Sequence, residues 1–405
     1  MITLSGMGRA LALALVGLAG ATVAHGDAGD VFKVSVSQTY VHDDNLFRLP
    51  DGVPPPPTLA SGARGDLVAQ TAVGLTLDKP VGRQVLRGGI GLTQIRHGRH
   101  TQLDSELSSH SAGWDWSLGN RLTGALSYHH AEKLPGFGDF RTPVRDVVKT
   151  DSITARATVR IPSGWQLQLG AGHTRTAHSA SVNAFGDSRV ESVETGLRYA
   201  PGSGREFGLR LRQAEGSFPN RQQVGGHFID NSYRENALEL DAVWHAGGTS
   251  QLQGAIGSAR RNYGEVAERN FSGLTGRLNW NWRPTGRTSL GAGIRRETGS
   301  QDDLIATQAV SDVISASAAW QPTAKLGFNI LAELRQRDLR ADPLPVPGSL
   351  SNRRDDDELL SLGVGYAAMR DLRLNLSWRE ERRKSSFAAG TYRARLIAVA
   401  ATFVF

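Results

Sequence analysis

Apolar and polar residues alternate with a period of two along most of this chain, and the links between alternating segments are by turns short and long. Phe32, Val34 and Val36 alternate with Lys33, Ser35 and Ser37. Ile153, Ala155, Ala157 and Val159 alternate with Thr154, Arg156, Thr158 and Arg160, and Leu372, Leu374, Leu376 and Trp378 with Arg373, Asn375, Ser377 and Arg379. Successive side chains of a strand point to opposite faces, so each segment forms a strand with one oily side and one polar side.

Short links fall near Asp78–Arg83, Leu118–Arg121, Pro162–Gly164, Pro284–Arg287 and Ala368–Asp371, and long polar links near Val41–Gly65, His129–Thr150, Ala177–Asp187, Arg337–Asp356 and Arg382–Thr391. Counting all links gives about 18 strands. Short turns at one end and long loops at the other are what a barrel crossing an outer membrane requires. The sequence therefore predicts an all-β fold, a transmembrane antiparallel β-barrel of about 18 strands with short periplasmic turns and long extracellular loops. Trp114, Trp116, Trp165, Trp244, Trp280, Trp282 and Trp320 lie close to short links, and only Trp378 lies toward a long one. Amphipathic rings favour the membrane–water interface, so this placement reads as a periplasmic aromatic girdle.

Composition agrees with that reading. No cysteine is present in the 405 residues, so no disulfide holds the fold together, whereas a closed barrel pairs every strand edge. After residue 20 no run approaches the roughly 20 apolar residues of a membrane helix. The formal charge of +7 comes from arginines scattered along the chain, without a nucleic-acid-binding motif, which argues against nucleic-acid partners.

Both ends carry targeting features. Met1–Gly26 holds one charge, Arg9, before the apolar stretch Leu11–Gly20 and a small-residue region, and reads as a signal peptide cut after Ala24 or Gly26. The barrel then occupies residues 27–405. At the other end Ile397, Val399, Ala401, Phe403 and Phe405 share one face of a last strand. Phe403 and the terminal Phe405 resemble the recognition signal of the barrel assembly machinery, which places the chain in the outer membrane of a Gram-negative bacterium. Outer-membrane lipid and lipopolysaccharide are then expected neighbours.

The polar faces carry Arg156, Arg160, Arg198, Arg210, Arg212, Arg277, Arg335, Arg373 and Arg379, with Glu194, Glu239, Asp241 and Glu333 among them. A barrel of this size leaves a wet interior, and charged residues lining it select among solutes. These arginines are candidates to line the lumen, where they either contact acidic solutes or pair with neighbouring carboxylates. Two charge runs, Asp355–Glu358 and Arg382–Lys384, are read as outer-loop residues.

After the first strand comes DDNLFRLPD, Asp43–Asp51. This segment resembles the opening of the EpsL-type outer-membrane barrels encoded with exopolysaccharide genes. The resemblance implies a role in exopolysaccharide biosynthesis or export, with the polysaccharide or periplasmic export components as partners. Asp43, Asp44, Asn45, Phe47 and Arg48 are the motif residues. The carboxylates and amide fit a glycan or calcium contact; equally they fit an Asx-rich turn with Phe47 packed on the wall.

An enzyme is the other possibility to weigh. His129 and His130 with Asp139 and Asp146, or His178 with Ser179, show no nucleophile–base–orienter spacing and no metal motif. No catalytic residue, cofactor or metal is expected. Two alternatives stand beside the exopolysaccharide reading: a general diffusion porin for small or anionic solutes, and an outer-membrane hydrolase or acyltransferase.

Overall fold

The computed structural model describes residues 31–55, 62–138, 144–202, 204–224, 226–265, 267–299, 306–341 and 353–405. Met1–Gly26, the segment read as a signal peptide, and Asp139 lie outside the described residues. The described strands are β1 (Phe32–Asp43), β2 (Asp66–Val81), β3 (Gln84–His97), β4 (Ser105–Leu118), β5 (Leu122–Lys133), β6 (Val148–Arg160) and β7 (Trp165–His178). There follow β8 (Ser188–Tyr199), β9 (Arg205–Ser217), β10 (Gln222–Val224), β11 (His227–Ile229), β12 (Tyr233–Ala246), β13 (Ser250–Tyr263) and β14 (Phe271–Thr285). The last six are β15 (Thr288–Gly299), β16 (Ala306–Trp320), β17 (Leu326–Ala341), β18 (Arg353–Ala367), β19 (Leu372–Ser385) and β20 (Tyr392–Val404).

Eighteen strands form one sheet in which sequence neighbours pair antiparallel, with β12 following β9 because β10 and β11 make a separate hairpin. β20 then pairs with β1, from Ser35 opposite Val404 to Asp43 opposite Leu396. Val34 and Phe405 exchange backbone hydrogen bonds of 3.1 and 2.8 Å beyond that register. The sheet is closed, so no strand edge is left to be satisfied by water, the condition for crossing hydrocarbon. Among the described residues no helix is long and apolar enough to cross a membrane.

The expected alternation is what closes this way. Ile256, Leu274, Ile294 and Ile314 all point outward, 52–65% exposed. An apolar surface of this extent far exceeds the patches that soluble monomers expose, and lipid is the solvent that suits it. At the short-turn end the outward rings meet: Trp280 stacks on Trp282 and Trp320 on Phe328, both at 5.6 Å, and Trp165 lies tilted against Tyr199 at 4.9 Å. Phe403 and Phe405 stack on the same outer face at 6.0 Å.

Strands of 12 to 16 residues are longer than the 9–11 a bilayer crossing needs. The excess corrects one expectation. Asp355–Glu358 lies in β18 and Arg382–Lys384 in β19, within the sheet and not in outer loops. Charge runs read as loops because they break the apolar alternation; here they continue the strands, with Arg337 opposite Asp355 and Asp357 opposite Arg383 in register.

The lumen also departs from a wholly polar lining. Val41, Val68, Ile95, Ala394, Leu396 and Ala398 form a buried cluster on the inner face of β1, β2, β3 and β20, with Leu107 and Leu134 against it. Here β20 is apolar on both faces, Leu396 and Ala398 inward and Ile397 and Val399 outward. Leu46 and Phe47 of the first loop make a second buried cluster with Leu103, and Leu49 and Phe137 pack on it. The first and third long loops therefore fold inward and occupy one side of the long-loop mouth.

Candidate functional site

Strand register decides which side chains share the inner wall, and it brings the arginines to carboxylates on adjacent strands. Arg198 pairs with Glu206 at 2.8 Å and Asp241 at 2.9 Å, and Arg156 lies 3.6 Å from Glu194. Glu239 is shared by Arg277, at 2.9 Å, and Arg210, at 3.7 Å. Glu235 is shared by Arg212, at 3.1 Å, and Arg261, at 2.7 Å. Glu333 accepts from Arg335 at 2.9 Å and from Arg295 at 3.4 Å. A carboxylate between two guanidiniums leaves one positive charge over at Glu235 and at Glu239, whereas Glu297 also takes Arg295 and Arg198 spans two carboxylates, so the cationic excess is confined to the stretch around Glu235 and Glu239.

A second array sits nearer the long-loop end, on β17, β18 and β19. Arg379 reaches Glu381 at 2.8 Å, Arg353 reaches Asp355 at 2.9 Å, and Asp357 takes Arg337 at 2.9 Å and Arg383 at 2.6 Å. The two arrays differ in access. Arg210, Arg212 and Arg277 keep 26–28% of their side-chain surface, whereas Arg337, Arg353 and Arg383 keep 2–6%. The first array stays accessible from the lumen, whereas the inward loops reach the second, where Arg383 Nη1 donates to the Gly138 carbonyl at 2.7 Å. Arg160 and Arg373 lie on the inner face toward the short-turn end, where Arg160 Nη1 is 3.5 Å from the Asn120 carbonyl.

The first loop is fixed to this wall by its own polar residues. Asp43 accepts from the Asn45 amide at 2.9 Å and from Arg48 Nη1 at 2.7 Å. Asp44 accepts from the Arg395 amide at 2.7 Å. Asn45 Nδ2 donates to the carbonyls of Leu49 and Arg393, both at 2.8 Å, and its Oδ1 accepts from the Leu49 amide. These oxygens are committed within an Asx-type turn, the second of the two roles the residue types allowed. Arg48 has φ +53°, a left-handed conformation uncommon outside glycine, and its guanidinium reaches past β20 to Glu381 of β19 at 3.0 Å. Phe47 packs edge-on to His100 and against Phe137, both with centroids at 4.8 Å.

Of the candidate enzymatic groups, His178, Ser179 and Asp146 come together, but His178 and Ser179 each bond to the carboxylate. His130 faces outward, with Nδ1 2.8 Å from Asp151 and its ring stacked on His110, while His129 lies on the opposite face of β5. His178 Nδ1 and the Ser179 hydroxyl both go to Asp146, at 2.8 and 3.4 Å, and Ser179 Oγ accepts from the Val147 amide at 2.7 Å. Asp146 also accepts from the Ala180 amide and Asn183, which makes it a staple between two outer loops. Its burial opposes ionisation, but these hydrogen bonds outweigh that and hold the carboxyl down at about 2. Among the described residues no group of three or more His, Asp or Glu side chains could hold a metal ion.

Sequence reasoning missed Arg261, Arg295, Arg337, Arg353 and Arg383 as inner-wall residues. The signal was present for Arg261 and Arg295, which keep the parity of their strands; the other three fell in segments taken for loops.

No family model matches the sequence, and no curated protein matches it. Solved structures do match. OccK2 (OpdF) of Pseudomonas aeruginosa aligns with a TM-score of 0.52 at 12% identity, over 92% of this chain and 98% of that one. The same protein in complex with glucuronate gives 0.50 at 11% identity over the same shares, and a BenF-like porin from Pseudomonas fluorescens Pf-5 gives 0.51 at 11% identity, over 92% and 98%. At such identities the likeness carries the architecture alone. With the closed 18-stranded sheet it makes this chain an outer-membrane β-barrel of porin fold, short turns toward the periplasm and long loops outside. The EpsL-type resemblance is corrected: no family model supports it, and the structural neighbours named above are porins, not exopolysaccharide-associated barrels. Its nine residues are those an inward-folded first loop uses for an Asx turn and a charge contact, a local solution that does not report a pathway.

Proposed function

We propose that this barrel is a non-enzymatic diffusion porin that favours small anionic solutes, carboxylates above all. The observation that carries the reading is the partly exposed stretch of inner wall in which Glu235 and Glu239 are each shared between two arginines. Guanidiniums in such a belt attract anions and offer paired donors to a carboxylate. Glucuronate, held by the fold neighbour OccK2, is a solute of this class. The inward first and third loops narrow the outer mouth and set an upper size. In the same reading residues 1–26 are a cleaved leader, and Phe403 and Phe405 direct the chain to the barrel assembly machinery.

Liposome swelling tests it. Vesicles containing the barrel should admit glucuronate faster than glucose, which is of similar size but uncharged. Equal rates, or faster glucose entry, would refute the anion preference.

A further inference from the structure

Charge is divided unequally between the two ends of the barrel. Toward the long loops carboxylates accompany the cations, as in Arg96 with Asp104 at 3.3 Å and Lys149 with Glu132 at 2.8 Å. On the short-turn rim Arg83, Arg121, Arg160, Arg283, Arg287 and Lys325 are exposed, and among the described residues none of the six makes an ion pair. The carboxylates nearest that end are already taken: Asp78 and Asp115 both go to Arg87, and Glu206 to Arg198 at 2.8 Å. Neither Asp371, in the last short turn, nor the terminal carboxylate of Phe405 is ion-paired with any of the six.

Hydrogen bonds between neighbouring turns gather these cations into two groups. Arg83 Nη1 donates to the Gly119 carbonyl at 3.0 Å and to Asn120 Oδ1 at 3.1 Å, and Arg160 Nη1 donates to the Asn120 carbonyl at 3.5 Å. Arg121 follows in the same turn, and its carbonyl accepts from the Arg160 amide at 2.7 Å. In the second group Arg287 Nη1 donates to the Pro322 carbonyl at 3.1 Å. Lys325 belongs to that same turn, which Thr323 Oγ1 pins by accepting from the Lys325 and Leu326 amides, and Arg283 precedes the turn that carries Arg287.

Cations gathered without a counter-charge repel one another, and a polyanion set against them removes that repulsion. The guanidiniums keep donors beyond those bound to carbonyls, in the fork that matches a carboxylate. Both groups lie past the aromatic girdle. Arg283 and Arg287 follow Trp282 and Lys325 follows Trp320. Arg83 and Arg287 reach sideways along the rim to the next turn, so their charge faces the periplasm and not the lipid-facing wall. The groups stand about half the strand circuit apart, β2–β7 against β14–β17, with the inner mouth between them. A compact partner touching both would cover the lumen. An extended polymer touches both and leaves it open.

We infer that the short-turn rim docks on the peptidoglycan mesh beneath the outer membrane. Free carboxylates of the peptide stems seat on the group of Arg83, Arg121 and Arg160 and on the group of Arg283, Arg287 and Lys325. The contact holds the inner mouth against the mesh without closing it. It lies outside the lumen and is independent of which solutes the barrel conducts.

The test is cosedimentation of the full-length mature barrel, in neutral detergent, with purified peptidoglycan sacculi. Wild type should pellet with the sacculi at low salt and be released by about 0.5 M salt, where screening is short-ranged. Arg83→Gln, Arg121→Gln, Arg287→Gln and Lys325→Gln together should weaken association roughly thirtyfold. Arg175→Gln, Arg189→Gln, Arg260→Gln and Lys384→Gln, an equal charge change near the long loops, should alter it less than about twofold. Sacculi whose stem carboxylates have been amidated should not retain the wild type. Should the fourfold rim variant lack the heat-dependent gel shift of a folded barrel, its two pairs are read separately. Arg83→Gln with Arg121→Gln, and Arg287→Gln with Lys325→Gln, should each weaken association about fivefold. Undiminished association of a folded rim variant, or full retention on amidated sacculi, would overturn the docking. So would loss of association in nanodiscs containing phosphatidylglycerol, which would assign the rim to phospholipid headgroups instead.

Discussion

Changing Arg210 and Arg212 together to alanine removes two guanidiniums without leaving a carboxylate unpaired. Glu239 keeps Arg277 and Glu235 keeps Arg261, so the wall stays ion-paired and the barrel should fold. What changes is the balance of charge facing the water. A unit charge about 5 Å from a permeating anion contributes roughly 0.8 kcal/mol in water, and screening at about 0.15 M salt reduces that by about half. Two such charges amount to about 0.8 kcal/mol, a factor of roughly four in anion partitioning. Cation partitioning rises by a similar factor, so the anion-to-cation permeability ratio should fall on the order of tenfold. Reversal potentials in planar bilayers under a potassium chloride gradient measure that ratio directly. An unchanged ratio in a double variant that still shows the heat-dependent gel shift of a folded barrel would leave these arginines with a structural role only.

Arg48→Ala removes the cation between buried Asp43 and Glu381, which costs about 3–5 kcal/mol for a buried pair and should free the first loop. Single-channel recordings should then show larger, noisier conductance; a quiet wild-type-like trace would count against the loop as a constriction. Asp146 has its folded value near 2, below the ordinary 3.8, so its staple contributes about 2 kcal/mol above pH 4 and loses it as pH falls from about 4 through 2. Hydrogen-exchange protection factors of residues 179–187, taken relative to the intrinsic rate at each pH, should fall across that window compared with pH 6, and flat protection would contradict the assignment. Deleting Phe405 removes a terminal ring and the closing backbone bonds to Val34, and should lower the yield of heat-modifiable barrel in membranes; an undiminished yield would exclude it as an assembly determinant.

The architecture was legible because its physics is local. Alternation needs only a few residues, and the girdle and last strand are written at fixed distances from short turns. Charge at strand ends was not legible: Arg337, Asp355, Asp357 and Arg383 lose the apolar alternation that marks a strand, yet Arg337 stands opposite Asp355 and Asp357 opposite Arg383 in register. The inward loops were not legible either, because burial of Phe47 depends on His100 and Phe137, which belong to two later loops and meet it only in the folded sheet. Arg210 and Arg212 could be placed on a polar face from parity, but their shared carboxylates follow from the β9–β12 register across an inserted hairpin. The DDNLFRLPD segment misled for a related reason: a short run of turn-forming residues serves a loop's geometry whatever passes through the barrel.

The central claim is a water-filled lumen whose shared carboxylates leave it cationic. The most direct measurement is the reversal potential of the wild-type barrel in a planar bilayer under a tenfold potassium chloride gradient. The account predicts stepwise channel insertion and a potential whose sign shows chloride to be the more permeant ion. A potential of the opposite sign, or no conductance from a folded and inserted barrel, would contradict it.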